Sequence, residues 1–204
     1  NVAIDSSYNK TTLYEGNGGL NQLFMGVAKR FGNLSLGVNG GYEFGRKDVN
    51  TRIILLNDSV NYYKSNSAQK TNFWGLFLTP GISYNIKLNE VKKSNNAYSE
   101  AYFIRFGASA TLAHTLKAST DTLRETFDYS SGGGTIPIDT VHSVRNVKGN
   151  IDLPLTYNAG FMISKKYLIG GNTVASKWSL GADYSAGSWA DYRYYGEADM
   201  LINN

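Results

Sequence analysis

The chain has 204 residues, 42% apolar and only 18% charged, with 22 Gly, 15 Tyr and 3 Pro. That balance suits a membrane β-barrel or a secreted β-sandwich. No cysteine is present, so disulfides and thiolate metal sites are excluded, and a net charge of +4 scattered along the chain argues against a nucleic-acid surface. No apolar run is long enough for a helical membrane span.

Residues 1–19 read as a strand end and a loop. The loop holds Gly16-Asn17-Gly18-Gly19. A phosphate loop would need a Lys-Ser/Thr and a following helix, and neither follows, so this run reads as a turn. Residues 20–31 form the first full strand, and Gly32-Asn33 makes a tight hairpin turn. Residues 34–45 are the most regular stretch. Leu34, Leu36, Val38, Gly40, Tyr42 and Phe44 share one face, and Ser35, Gly37, Asn39, Gly41, Glu43 and Gly45 share the other. At about 3.3 Å per residue the stretch spans roughly 40 Å, ample for a tilted membrane strand.

Residues 46–69 read as a long polar excursion, with a hairpin of residues 52–56 and 60–64. Residues 70–88 form a strand with Trp74, Leu76, Leu78, Pro80, Ile82 and Tyr84 on one face. A polar connector at 89–100 leads to a strand at 101–117, and a second excursion covers 118–147 around the turn Ser130-Ser131-Gly132-Gly133-Gly134. Residues 148–164 alternate throughout, with Ile151, Leu153, Leu155, Tyr157 and Phe161 set against Asp152, Pro154, Asn158 and Met162. A connector at 165–177 precedes a strand at 178–185, and the remainder is aromatic and irregular. Pro80 and Pro154 fall in mid-strand, where a local bulge is expected.

This gives an all-β fold, an antiparallel transmembrane β-barrel of about six long membrane strands with extracellular extensions. The chain starts at Asn1 rather than Met, so residues 1–204 are expected to be one incomplete barrel domain. Leu36, Val38, Tyr42, Trp74, Leu76, Phe106, Leu155 and Leu180 are expected to face lipid. Glu43, Lys87, Arg105, Asp152 and Asp183 are expected to form a polar network in the lumen, because buried charges require partners. Phe24, Phe73, Phe77, Phe103 and Met162 fall on the same inner face. They read either as the path of an apolar ligand or as packing for a plug. His114 and His142 lack ligand spacing and read as solvated loop residues. No catalytic residue, metal site or cofactor is expected.

The stretches Gly18-Gly19-Leu20-Asn21-Gln22-Leu23, residues 33–44, Asn150-Ile151-Asp152-Leu153-Pro154-Leu155 through Gly160, and residues 178–184 followed by Trp189, Tyr192 and Tyr194 resemble the FadL/TodX family of outer-membrane barrels, most of all its Bacteroidota members. The resemblance implies a barrel of fourteen strands with an amino-terminal plug that admits fatty acids or other hydrophobic compounds. The chain departs from that pattern in having too few strands and no plug. Three functions follow as expectations. The first is an outer-membrane channel for hydrophobic compounds such as long-chain fatty acids. The second is a non-transporting barrel subunit of a larger envelope complex. The third is a soluble extracellular ligand-binding β-domain. The expected partners are outer-membrane lipid, an apolar small molecule and envelope proteins.

Overall fold

The computed structural model describes residues 2–5, 10–55, 62–92, 99–169 and 172–199. They form one antiparallel sheet, curled into part of a barrel. Its strands are β1 (Val2–Asp5), β2 (Lys10–Phe31), β3 (Leu34–Leu55), β4 (Lys64–Lys92), β5 (Ser99–Thr111), β6 (His114–Tyr129), β7 (Thr135–Leu153), β8 (Thr156–Ile169), β9 (Asn172–Gly187), β10 (Arg193–Tyr194) and β11 (Glu197–Ala198). A single 3-10 turn, Trp189–Asp191, separates β9 from β10.

Several of these strands are halves of one longer strand. β5 and β6 are separated only by Leu112 and Ala113, and β7 and β8 only by Pro154 and Leu155. The pairing of β5 with β8 ends at Thr111↔Thr156, and that of β6 with β7 begins at His114↔Leu153, in the same register. Past the 3-10 turn, β10 takes the place beside β7 that β9 holds beside β8. The sheet is therefore a meander of six long strands. β4, with 29 residues, spans its full height and pairs with β5 through Gly81–Lys92 and with β6 through Lys64–Trp74.

The interruptions line up. Pro154 has no N–H to give the ladder, and it stands level with the break at Leu112 and Ala113. Ser188 N donates to Leu155 O at 3.0 Å, which carries the line of breaks to the last strand. Across β4 the register moves from Gly81↔Ser109 to Trp74↔Lys117, so the seven residues 110–116 oppose the six residues 75–80. One extra residue is a bulge, and a bulge reverses which residues point inward. Ser109 and Leu116 thus both point inward, as do Asn158 and Ile151. Pro80 sits in β4 with the β3 register unbroken through it, at Val38↔Pro80. The bulge falls on the neighbouring strand.

Several sequence expectations change, and the connectors expected at 89–100 and 165–177 are largely strand, with β4 running to Lys92, β5 starting at Ser99, and β8 and β9 paired from Lys165↔Trp178 to Ile169↔Asn172. Gly16-Asn17-Gly18-Gly19 is no turn but the middle of β2, paired with residues 46–49 of β3. A Cβ at Gly18 would lie 2.4 Å from Arg46 O, so the close strand approach requires glycine there. The polar excursion at 46–69 is the continuation of β3 and β4, paired from Arg46↔Asn72 to Ile53↔Ser65. The expected small hairpin there falls partly on residues outside those described. The second excursion is likewise β6 and β7, joined by the glycine turn at 130–134.

Candidate functional site at the crease of the sheet

The line of breaks forms a crease where the chemistry of both faces changes. In the half holding β5, β8 and β9, the outer face is apolar and the inner face small and polar. Met25, Leu76 and Leu180 are among the most open side chains, at 81%, 72% and 71% exposure, and Leu36, Ile82, Phe106, Phe161 and Tyr184 share that outer face. The inner face there is a trough of 820 Å³ lined by residues such as Gly26, Asn39, Gly81, Ser109, Asn158 and Gly160. In the half holding β6, β7 and β10 the polarity is reversed. Arg46, Asn72, Lys117, Lys148 and Asn150 point outward and are exposed. Leu116, Ala118 and Ile151 point inward and are buried, with Phe73, Leu153, Tyr192, Tyr194 and Tyr195 packed on them.

The inner face at the crease is assembled by placing side chains over glycines. The Phe73 ring lies over Gly45, where a Cβ would sit 2.7 Å from it, and Leu116 lies over Gly75 at 2.6 Å. The Tyr195 ring covers Gly149, where a Cβ would come within 2.2 Å. Tyr195 reaches this position through a left-handed backbone (φ 56°) followed by Gly196 (φ 84°), which turns β10 back into β11. Its hydroxyl is 2.8 Å from Thr120 Oγ1 and donates to Val147 O at 3.0 Å. The Tyr194 hydroxyl is 2.8 Å from Thr71 Oγ1, itself 2.9 Å from Thr120 Oγ1. Burial raises the pKa of Tyr195 and of Tyr192 above the ordinary tyrosine range.

At the crease a buried carboxylate anchors three strands. Glu43 is 2% exposed. It accepts a hydrogen bond from Gln22 Nε2 at 2.5 Å and lies 3.1 Å from His114 Nε2. His114 Nδ1 is 2.8 Å from Leu112 O, and a carbonyl can only accept, so Nδ1 donates. Nε2 is thereby turned toward the Glu43 carboxylate. Phe77 packs beneath, its ring centroid 6.4 Å from that of His114.

The expected lumen network does not form as one unit. Glu43 is joined to Gln22 and His114, while Lys87 pairs with Glu90, which also takes a hydrogen bond from Ser99. Arg105 and Asp183 face inward in the lower half and make no ion pair among the described residues. Asp152 points to the outer face, where it accepts from Thr115 Oγ1 at 2.7 Å. The break at Pro154 reverses the alternation that placed it inside. The five inward apolar residues are also dispersed. Phe24 and Phe77 share a level through Gly41. Phe73 belongs to the buried core above them. Phe103 pairs with Lys87, ten positions along β4 from Phe77, roughly 33 Å away. Its ring lies 5.3 Å from Lys166 Nζ, and Met162 pairs with Arg105 near that same end. They form no ring around a ligand. His114, expected as a solvated loop residue, is instead part of the buried cluster. The sequence offered no signal for it, because residues 101–117 alternate as one strand through His114. His142 stays exposed on β7.

Fold and site define the class as the wall of a β-barrel, apolar outside in one half and polar outside in the other. The chain belongs to the BamG family, whose model matches residues 2–200. No curated protein matches it. The family match overturns the resemblance to FadL/TodX transporters and, with it, the reading of the chain as a channel for fatty acids or other hydrophobic compounds.

Proposed function

We propose that the protein is a non-transporting, structural β-barrel subunit of the bacterial outer membrane that associates with the Bam complex. The observation that carries the reading is the family match over residues 2–200. The two-sided sheet supports the membrane location. Trp74 and Tyr84 stand ten positions apart on the outer face of β4, roughly 34 Å along the strand. At the 35–45° tilt of membrane barrels that is about 25 Å of height, the thickness of their apolar band. Above the band, an outer face of Arg, Asn, Lys and Ser suits water, so the upper half would stand clear of the bilayer. The inner apolar patch held by Tyr194 and Tyr195 makes that half a rigid platform rather than a conduit.

The test is affinity capture of the tagged full-length protein from mildly solubilised membranes, with quantitative mass spectrometry. Bam-complex subunits should be enriched well above unrelated outer-membrane barrels of similar abundance. Equal recovery of the two groups would remove the Bam association.

A further inference from the structure

Several cations along the margins of the apolar band are held by neighbouring groups, while Lys29 at the lower margin and Lys70 above the upper one are exposed and make no ion pair among the described residues. At the lower margin, Lys165 lies 2.5 Å and Lys177 3.6 Å from the Glu100 carboxylate, so both are already compensated. At the upper margin, Arg46 is tied to Asp48. Arg193 donates to the carbonyls of Ala190 and Tyr192 in its own turn. Lys117 and Lys148 make no ion pair among the described residues, and both are exposed.

These two lysines are diagonal neighbours on the outer face. Lys117 pairs with Asn150 and Lys148 with Ser119, which sets their backbones roughly 7–8 Å apart. Two flexible ammonium tips at that spacing converge on one phosphate. Asn150 offers an amide donor beside them, while the Ser119 hydroxyl already donates to Asn146 Oδ1 at 2.8 Å. Trp74, directly paired with Lys117, marks the level at which aromatic side chains meet lipid headgroups. Of the acids on this face, Asp48 holds Arg46, whereas Asp121 and Asp152, which flank Lys148 and Lys117, accept only from uncharged donors, Asn146 N at 2.7 Å and Thr115 Oγ1.

We propose that Lys117 and Lys148 bind the phosphate of an anionic lipid headgroup at the upper margin of the apolar band. The site rests on the membrane reading above, since a lipid phosphate reaches this height only if the band is in the bilayer. Free phosphate would satisfy the same two ammonium groups. The apolar outer face of the adjacent β4, from Leu76 to Ile82, favours a phosphate that carries acyl chains.

The full-length protein is refolded into phosphatidylcholine vesicles containing phosphatidylglycerol, and bound lipid is read by native mass spectrometry after detergent extraction. Flotation with the vesicles is measured in parallel. The parent should float and retain phosphatidylglycerol in preference to phosphatidylcholine. Lys117→Gln and Lys148→Gln should each lower that preference roughly fivefold. Lys47→Gln, at a similar height on the inner face, should leave it unchanged. Lysine variants that float and keep the full preference would overturn the proposal and leave the membrane reading standing. Loss of the preference in Lys47→Gln to the same degree would overturn it too, by showing a bulk charge effect. Displacement of the lipid by millimolar inorganic phosphate would assign the site to free phosphate instead. A parent that fails to float overturns both readings.

Discussion

At the scale of single residues, the inner face depends on glycines that leave room for rings. Gly149→Ala would put a methyl within 2.2 Å of the Tyr195 ring, and the ring is held by hydrogen bonds to Thr120 and Val147. The ring must shift and those bonds weaken, at a cost of about 1–3 kcal/mol. Urea unfolding of the purified variant measures this, and an unchanged midpoint would show that the ring moves freely. Tyr195→Phe removes only the hydroxyl and should cost about 1 kcal/mol at neutral pH. Because burial raises the Tyr195 pKa, its neutral form is favoured in the folded chain. That contribution is complete below the unfolded value of about 10 and declines as pH rises past it. The stability gap between parent and Tyr195→Phe should therefore narrow above about pH 10, as read in paired unfolding curves across that range. None of this was legible in a sequence whose last stretch is simply aromatic and irregular, since the contacts join β10 and its turn to β4, β6 and β7.

At the scale of elements, the crease stays hidden in the sequence because two reversals cancel. Along residues 101–118 the apolar side chains fall on even positions from Tyr102 through Leu112 and again at Leu116 and Ala118. Below the crease those positions face outward, and above it they face inward. The bulge turns the strand over at the level where the surroundings change from apolar outside to polar outside. Alternation therefore looks unbroken. The same holds for the odd positions from Ile151 to Phe161. β3 has no bulge at this height, so its apolar positions change parity instead, from Leu36, Val38 and Tyr42 to Val49 and Ile53. That is why residues 46–69 resemble a polar loop when read with a single period. Within the lower half the alternation of residues 34–44, 73–86, 103–111 and 156–164 was legible, because chain and surroundings keep one sense there, but the bulged ends near Lys87 and Lys165 read as connectors. Deletion of Ala113 should remove the extra residue and turn β6 over, bringing Leu116 outward and Lys117 inward. A single cysteine at position 117 should react with an impermeant maleimide in the parent background and be protected in the deletion. Equal labelling would place the reversal elsewhere.

At the scale of the whole molecule, the inversion of polarity is a claim about height, and height can be titrated with charge. Position 78 lies near the middle of the outer apolar band between Trp74 and Tyr84, opposite Gly40, with its side chain exposed. An arginine there should cost about 2–4 kcal/mol of folding into liposomes if the band sits in the bilayer. The cost should decline at Leu76, nearer the margin, and fall to about 0–1 kcal/mol at Asn72, beyond Trp74 on the same face of the same strand. Because all three positions share β4 and one face, strand propensity and neighbouring contacts vary little between them, and depth is the main variable. A soluble sheet whose apolar face met only water or another protein would give no ordered gradient along the strand. The reversed case is Leu116→Arg, which buries a charge in the inward core above the crease at 3% exposure. It should destabilise the upper half whether the lower half is in lipid or detergent, whereas the arginine at position 78 should be tolerated better in detergent, where chains can rearrange around it. Folding yields for the four variants in both media decide between the two pictures. A flat series along β4 would take the lower half out of the membrane.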